Sequence, residues 1–431
     1  MPEDSNSIGA RAATHAAPVV LLADTSRYAT PARMAIALAA AGASVDAVCP
    51  PRDHCLRKTR AVRKIHPHSW YEPLDALEAA IEASNPEIVI PCDDRSVQDL
   101  HELYCRASKS GAAKKPVADL IARSLGPPAS FPTVLSRHDL LKLAQEENLR
   151  VPATQLIASL ADLEAWASAH PLPWVLKADG TCGGRGVRIV HTRPEAERAF
   201  QEISRPPRVA GAMRRLILDH DAFWLRPWWK GTAPAVIVQS YVAGTPANCA
   251  AVCWQGEVLA GLGVEVVSTQ YPTGPATVVR VVDNSDMSLA GARIASRLKL
   301  SGFIGLDFMI EEKTGAIWLI EMNPRCTPLC HLRLGPGRDM VASISARLAG
   351  TPPREAASVP DKDLIAYFPR AWTFNTDLLP SCFQDIPQNE PDLVEELLQQ
   401  QRNQRFIDRR LARRRALRAG ARQTKHPQPV S

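Results

Sequence analysis

The chain has 431 residues, 45% of them hydrophobic and 22% charged, with a formal net charge of +6, the balance of a globular protein long enough for two or three domains. No run reaches eighteen uninterrupted apolar residues, which argues against a membrane-spanning helix. The ten cysteines form no Cys-x-x-Cys pair, which disfavours a thiolate metal centre and points to free thiols in a reducing cytoplasm. The charge excess is local: residues 401–425 hold ten Arg or Lys against Asp408, so the rest of the chain is close to neutral.

Residues 1–17 are small and polar, lack the apolar run of a signal peptide, and read as a disordered lead. VVLLAD (residues 19–24) is a buried strand, and Thr30 then caps a helix with Pro31 at its first position and Gly42 past its end. Ser44 to Cys49 is a second strand, Pro73 to Ala83 a helix, Glu87 to Pro91 a third strand, and a helix follows near Ser96 to Arg106. Strands alternating with helices predict a parallel sheet over residues 18–115. The turn after the first strand, DTSRYATP, has no glycine, so the dinucleotide fingerprint is absent. The stretch 114–132, rich in Pro, Gly, Ala and Ser, reads as a connection. Ser136 with Asp139, Ser159 with Asp162, and Thr192 with Glu195 are capping boxes opening three helices, with a strand in VPATQLIAS.

Within this region lies WVLKADGTCGGRGVRIV, residues 174–190. Two strands flank Gly180, Gly183, Gly184 and Gly186, predicting a hairpin with a glycine-rich tip whose backbone N–H groups can face an anion. Lys177 adds a point charge to the same phosphates. No Gly-Lys-Ser/Thr follows, so this is not a P-loop. Residues 205–234 fit no clean period and read as an insertion, in which Trp224, Trp228 and Trp229 build a small core in preference to an aromatic lid. From Val236 the texture becomes that of an antiparallel sheet, with a turn at Gln255-Gly256 and a helix over Ser285 to Lys299.

FIGLDFMIEEKTGAIWLIEMNPR, residues 303–325, carries the metal chemistry. Lys313, Thr314 and Gly315 suit a three-residue hairpin loop. A register centred on Thr314 sets Asp307 opposite Glu321 and Gly305 opposite Asn323, all on one face. Two carboxylates and an amide oxygen among buried residues are expected to hold a divalent cation, with Mg2+ favoured over zinc or iron. Cys326, Cys330 and His331 read as core residues and not as a soft-metal site.

These motifs together, a glycine-rich hairpin with a preceding lysine, a Gln-x-Tyr-Val strand some sixty residues on, and an Asp…Glu-x-Asn-Pro-Arg hairpin, resemble the ATP-grasp superfamily. The likeness is greatest to its carbamoyl-phosphate-synthase-like and biotin-carboxylase-like carboxylate ligases, and it covers about Ser130 to Gly350. It implies an α/β fold: a parallel α/β domain over residues 18–115, then a two-subdomain ATP-grasp domain with an antiparallel sheet over 130–350, then an extension over 351–431. It further implies that Lys177 contacts the α- and β-phosphates of ATP and that Cys182, Gly183, Gly184, Arg185 and Gly186 close over the β- and γ-phosphates. Gln239, Ser240, Tyr241 and Val242 form the hinge that reads adenine. Asp307, Glu321 and Asn323 hold one or two Mg2+ ions, with Mn2+ the other cation of that chemistry. Arg325 and Arg280 neutralise the γ-phosphate or an acyl-phosphate.

Two departures stand out: Arg137 occupies the place of an earlier nucleotide-contacting lysine, and Ser240 that of a ribose-binding glutamate. The implied reaction is attack of a small-molecule carboxylate on ATP to give an acyl-phosphate, captured by an amine or another nucleophile. A kinase on the same fold and a nucleotide-binding sensor without turnover remain the alternatives. The basic C-terminal segment reads as a solvated helical tail or a contact between copies of a homo-oligomer, ahead of a nucleic-acid site.

Overall fold

The computed structural model describes residues 17–26, 28–179, 186–205, 234–271, 274–353 and 361–403. The expectations for the N-terminal lead, for Cys182, Gly183, Gly184 and Arg185, for the tryptophans of the insertion, and for the basic tail beyond residue 403 lie outside the described residues.

The first domain is built on a parallel sheet of β1 (Val19–Ala23), β2 (Ser44–Cys49), β3 (Val62–Pro67) and β4 (Ile88–Pro91), in the order β3-β2-β1-β4. Residues 20–23 and 88–91 are buried, as a parallel sheet covered on both faces requires. Helices α1 (Thr30–Ala40), α2 (Pro73–Ser84) and α3 (Asp94–Lys109) connect and cover the strands. Thr30 does not cap α1: the N-cap is Ala29, which makes no side-chain capping bond, and Thr30 lies inside the first turn. The stretch expected as a connection contains α4 (Lys115–Leu125), whose Val117, Ala118, Leu120 and Ile121 are buried. Its Pro116 reads as a breaker, yet in the first turn of a helix proline gives up no intrahelical bond.

After α5 (Phe131–Leu135) and α6 (Arg137–Glu146) comes an antiparallel sheet in the order β5-β8-β6-β7. It comprises β5 (Thr154–Ile157), β6 (Trp174–Ala178), β7 (Val187–Val190) and β8 (Val236–Ser240). Helices α7 (Leu160–Ala169) and α8 (Arg193–Ile203) cover one face through Leu163, Trp166 and Phe200. Ser159 and Asp162 form a reciprocal capping box, whereas Ser136 makes only the forward half, accepting from Asp139 N–H.

The third sheet has seven strands in the order β13-β12-β9-β10-β11-β14-β15. These are β9 (Gly244–Trp254), β10 (Glu257–Thr269), β11 (Ala276–Val282), β12 (Gly302–Glu311), β13 (Ile317–Asn323), β14 (Leu364–Tyr367) and β15 (Phe383–Asp385). One face, with Ala251, Ile304 and Phe308, packs on α6 and on the helix Ser285–Leu298. The other, with Val252, Leu262 and Phe303, shares a core with Val20, Leu22 and Met34 of the first domain and with the helix Met340–Ala349. Because β14 and β15 extend this sheet, residue 350 does not mark its end. The turn Gln255-Gly256 has both residues at positive φ, the type I′ geometry that suits a tight hairpin. Among the described residues no helix is long and apolar enough to cross a membrane.

Candidate functional site

The carboxylate hairpin forms with one adjustment. Asp307 pairs with Glu321 and Gly305 with Asn323, but nearer the turn Phe308 pairs with Leu319 and Ile310 with Ile317. The connection is therefore a four-residue loop, 312–315, closed by Glu311 N–H to Ala316 O at 2.9 Å with Gly315 at φ +70°, not the expected three-residue loop. A bulge between Asp307 and Phe308 absorbs the difference by inserting Ile320. A one-residue slip reverses every side chain of a strand, so without the bulge the two carboxylates would not share a face.

Asp307 is held on all sides. Asn248 Nδ2 donates to its Oδ1 at 2.6 Å and Asn323 Nδ2 to its Oδ2 at 3.2 Å. Burial and the facing Glu321 push its pKa up. Burial also acts upward on Glu321, but Arg137 and Lys177 outweigh it and hold that carboxyl ionised. Two facing carboxylates that burial and mutual repulsion disfavour, beside an amide oxygen, are a hard-oxygen donor set that fits Mg2+, and Asp307, Glu321 and Asn323 are the groups that could hold it. At Gly305 a Cβ would come within 2.4 Å of Thr327 Cγ2, so a side chain there displaces the Thr327 methyl group.

Lys177 reaches this cluster from the other sheet. It is 4% exposed, and the charges acting on it are Glu321, Arg137 and Asp307. Burial lowers its pKa to about 8. Arg137, the second residue the sequence sets near phosphate, is also in the site. Its Nε lies 3.0 Å from Glu321 Oε2, while Nη1 lies 3.1 Å from Asp179 Oδ1 and from Ala178 O. Arg325 donates from Nη2 to Asn323 Oδ1 at 3.0 Å and from Nε to Asp94 Oδ1 at 2.7 Å.

Two expectations change. Gln239 and Ser240 lie in β8 between β5 and β6, with Gln239 paired to both Thr154 and Val175 and Ser240 N–H bonded to Ala153 O at 2.9 Å. A central strand commits its peptide groups to its neighbours, so a base would meet backbone only beyond Ser240, where Tyr241 and Val242 lead into the seven-stranded sheet. The buried Gln239 amide donates to Thr154 Oγ1 at 3.0 Å. Arg280 is not brought to the cluster. Its cross-strand row runs through Glu265, Ala247 and Phe308, whereas that of Asp307 runs through Asn248, Val264 and Val281. Paired residues share a face, so Arg280 points to the opposite side of the sheet, where Asp363 lies 3.6 Å from its Nε. Cys326 and Cys330 are buried, and the Cys330 thiol, which burial pushes up to about 12, accepts from Thr327 N–H at 3.2 Å. His331 is engaged by Asp385 at 2.9 Å.

Sequence reasoning missed Asn248, Asp179, Asp94 and Arg370. Asn248 is visible only once β9 is known to pair with β12, and Asp94 reads simply as the start of a helix. Arg370, just past β14, is partly buried beside Tyr28, Tyr271 and Tyr367, and among the described residues no carboxylate lies within ion-pair distance of it.

Residues 139–328 match the family described as the ATP-grasp domain. The chain carries an ATP-grasp domain. The matched span holds Lys177, Asp307, Glu321, Asn323 and Arg325, while Asp94, Arg137 and Arg370 fall outside it. Solved structures share the fold of this chain at low identity. N5-carboxyaminoimidazole ribonucleotide synthetase from Thermus thermophilus is 14% identical over 81% of this chain and 82% of that one, with a TM-score of 0.56. The biotin carboxylase domain of Hydrogenobacter thermophilus 2-oxoglutarate carboxylase, solved with MgADP, ADP and bicarbonate, is 14% identical over 80% and 71%, with a TM-score of 0.54. L-amino acid ligase from Bacillus licheniformis is 14% identical over 77% and 74%, with a TM-score of 0.51. No curated protein matches the sequence.

Proposed function

We propose that this protein is an ATP-dependent carboxylate ligase that passes through an acyl-phosphate captured by an amine or another nucleophile. The observation that carries this reading is the convergence of Lys177 and Arg137 from one side on Asp307, Glu321 and Asn323 from the other. Of the three structurally similar proteins, one was solved with MgADP and the other two are a synthetase and a ligase, which supports the same chemistry here.

In the proposed reaction a substrate carboxylate oxygen attacks the γ-phosphorus of ATP and the bond to the β-phosphate oxygen breaks, leaving ADP. The nucleophile then attacks the acyl carbon and expels phosphate. Lys177 and Arg137 bind and orient the phosphates, and Arg325 faces the charge that builds on the transferred group, a task suited to its planar fork. Mg2+ held by Asp307, Glu321 and Asn323 would shield the phosphates and align the transferred group. Arg370 is the candidate partner for an anionic group of the acid substrate, since a partly buried cation without an ion-pair partner among the described residues is suited to an anion.

The test is ATP turnover across a panel of amino acids, peptides and other acids, with hydroxylamine present. An acyl-hydroxamate with free phosphate is expected, and it disappears in Lys177→Ala and Glu321→Ala. A stable phosphorylated product instead identifies a kinase. Nucleotide binding without Mg2+-dependent turnover by any mixture identifies a sensor.

A further inference from the structure

Helix α3 opens with two successive acids that do different work. Asp93 turns into its own domain: its carboxylate caps the helix by accepting from Ser96 N–H at 2.8 Å, and it also accepts from Ser26 N–H in the loop after β1 at 3.0 Å. Asp94 takes no part in that cap. It turns instead toward the hairpin of the ATP-grasp domain and receives both Nε and Nη2 of Arg325, at 2.7 and 3.4 Å.

The bond does not stop at Arg325. The same Nη2 donates to Asn323 Oδ1 at 3.0 Å, and Asn323 Nδ2 donates to Asp307 Oδ2 at 3.2 Å. A line of hydrogen bonds therefore joins the first domain to the carboxylate pair. A second tie lies alongside, because Cys326 N–H bonds Pro91 O at 3.3 Å and pins the backbone next to Arg325 to the end of β4. Asp94 and Arg325 are 31% and 20% exposed, so their attraction is screened and adds little to stability. Its worth lies in direction. An arginine has several rotatable bonds, and a carboxylate that grips its fork fixes the plane in which the remaining N–H groups lie. An amide can be turned end for end, and the Arg325 donor selects the orientation in which the Asn323 oxygen faces Arg325 and its nitrogen faces Asp307.

We propose that Asp94 is a positioning residue, supplied by the N-terminal domain, that holds the Arg325 fork in the plane the site uses. Asp94 acts through Arg325 and does not itself meet the reacting atoms. The inference rests on the ligase reading above, and the experiment separates the two.

In the full-length protein, Asp94→Asn is expected to lower kcat about tenfold to a hundredfold, the scale of a misplaced reacting group, while the affinity for MgADP stays within about twofold. Asp94→Glu is expected to restore most of the rate. In an Arg325→Lys background, which lacks the fork, Asp94→Asn is expected to change little further. Independently of turnover, the Arg325 Nε–H resonance is expected to exchange slowly with solvent in the wild type and quickly in Asp94→Asn. A wild-type kcat in Asp94→Asn overturns the proposal. So do rate losses that multiply across the two positions, or an Arg325 resonance insensitive to Asp94. If Lys177→Ala and Glu321→Ala also leave turnover intact, the ligase reading itself has failed; if they abolish it, only the role of Asp94 has.

Discussion

Lys177 keeps its charge in surroundings that resist it, and that tension is measurable. Burial brings its pKa down to about 8 from 10.5, with Glu321 and Asp307 opposing the fall and Arg137 adding to it. A lysine is charged below its pKa, so the ammonium is lost as pH rises through that value and its grip on phosphate goes with it. ATP affinity is expected to fall roughly tenfold between about pH 7 and about pH 9. Lys177→Arg is expected to flatten the profile, because a guanidinium stays protonated throughout. Titration calorimetry over that range checks the claim, and a wild-type affinity that does not vary with pH contradicts it.

At the scale of the element, the β12–β13 hairpin shows how much of the site the sequence displays. Alternation with a three-residue turn sets Asp307 against Glu321, and that pairing holds in the structure only because a bulge offsets the extra residue of the loop. The bulge at Ile320 is not legible, since an inserted residue leaves no mark in composition. Arg280 misleads for a related reason: neighbouring strands are evident, but which face each residue takes depends on a register across three pairings. Asp94 and Arg370 escape because their role comes from long-range packing, Asp94 against Arg325 more than two hundred residues away. Gly305 tests the hairpin directly. A Cβ there would meet Thr327 Cγ2 at 2.4 Å, and the branches of a valine would crowd the Thr327 side chain further. Gly305→Val is expected to lower stability by about 1–3 kcal/mol in urea unfolding, as overpacking does, and to reduce turnover by more than that loss explains. Unchanged unfolding and activity would place the Thr327 side chain elsewhere.

Across the whole molecule, the first domain and the ATP-grasp domain share one core and one line of hydrogen bonds. Val20, Leu22 and Met34 pack with Val252, Leu262 and Phe303, so the sheet that carries Asp307 is buried partly by the first domain. The parallel arrangement of that domain and the antiparallel texture after Val236 are both plain from periodicity, whereas their packing face to face is not. Residues past 350 belong to the same body through β14 and β15. Lys177 from the four-stranded antiparallel sheet and the Asp307–Glu321 pair from the seven-stranded sheet meet at one site. The most direct measurement is the affinity of the full-length protein for ATP with Mg2+, set beside those of Lys177→Ala and Glu321→Ala. The account predicts saturable binding that needs Mg2+, weakened by a factor of about ten or more in each variant. Wild-type affinity in both variants, or binding indifferent to Mg2+, would contradict it.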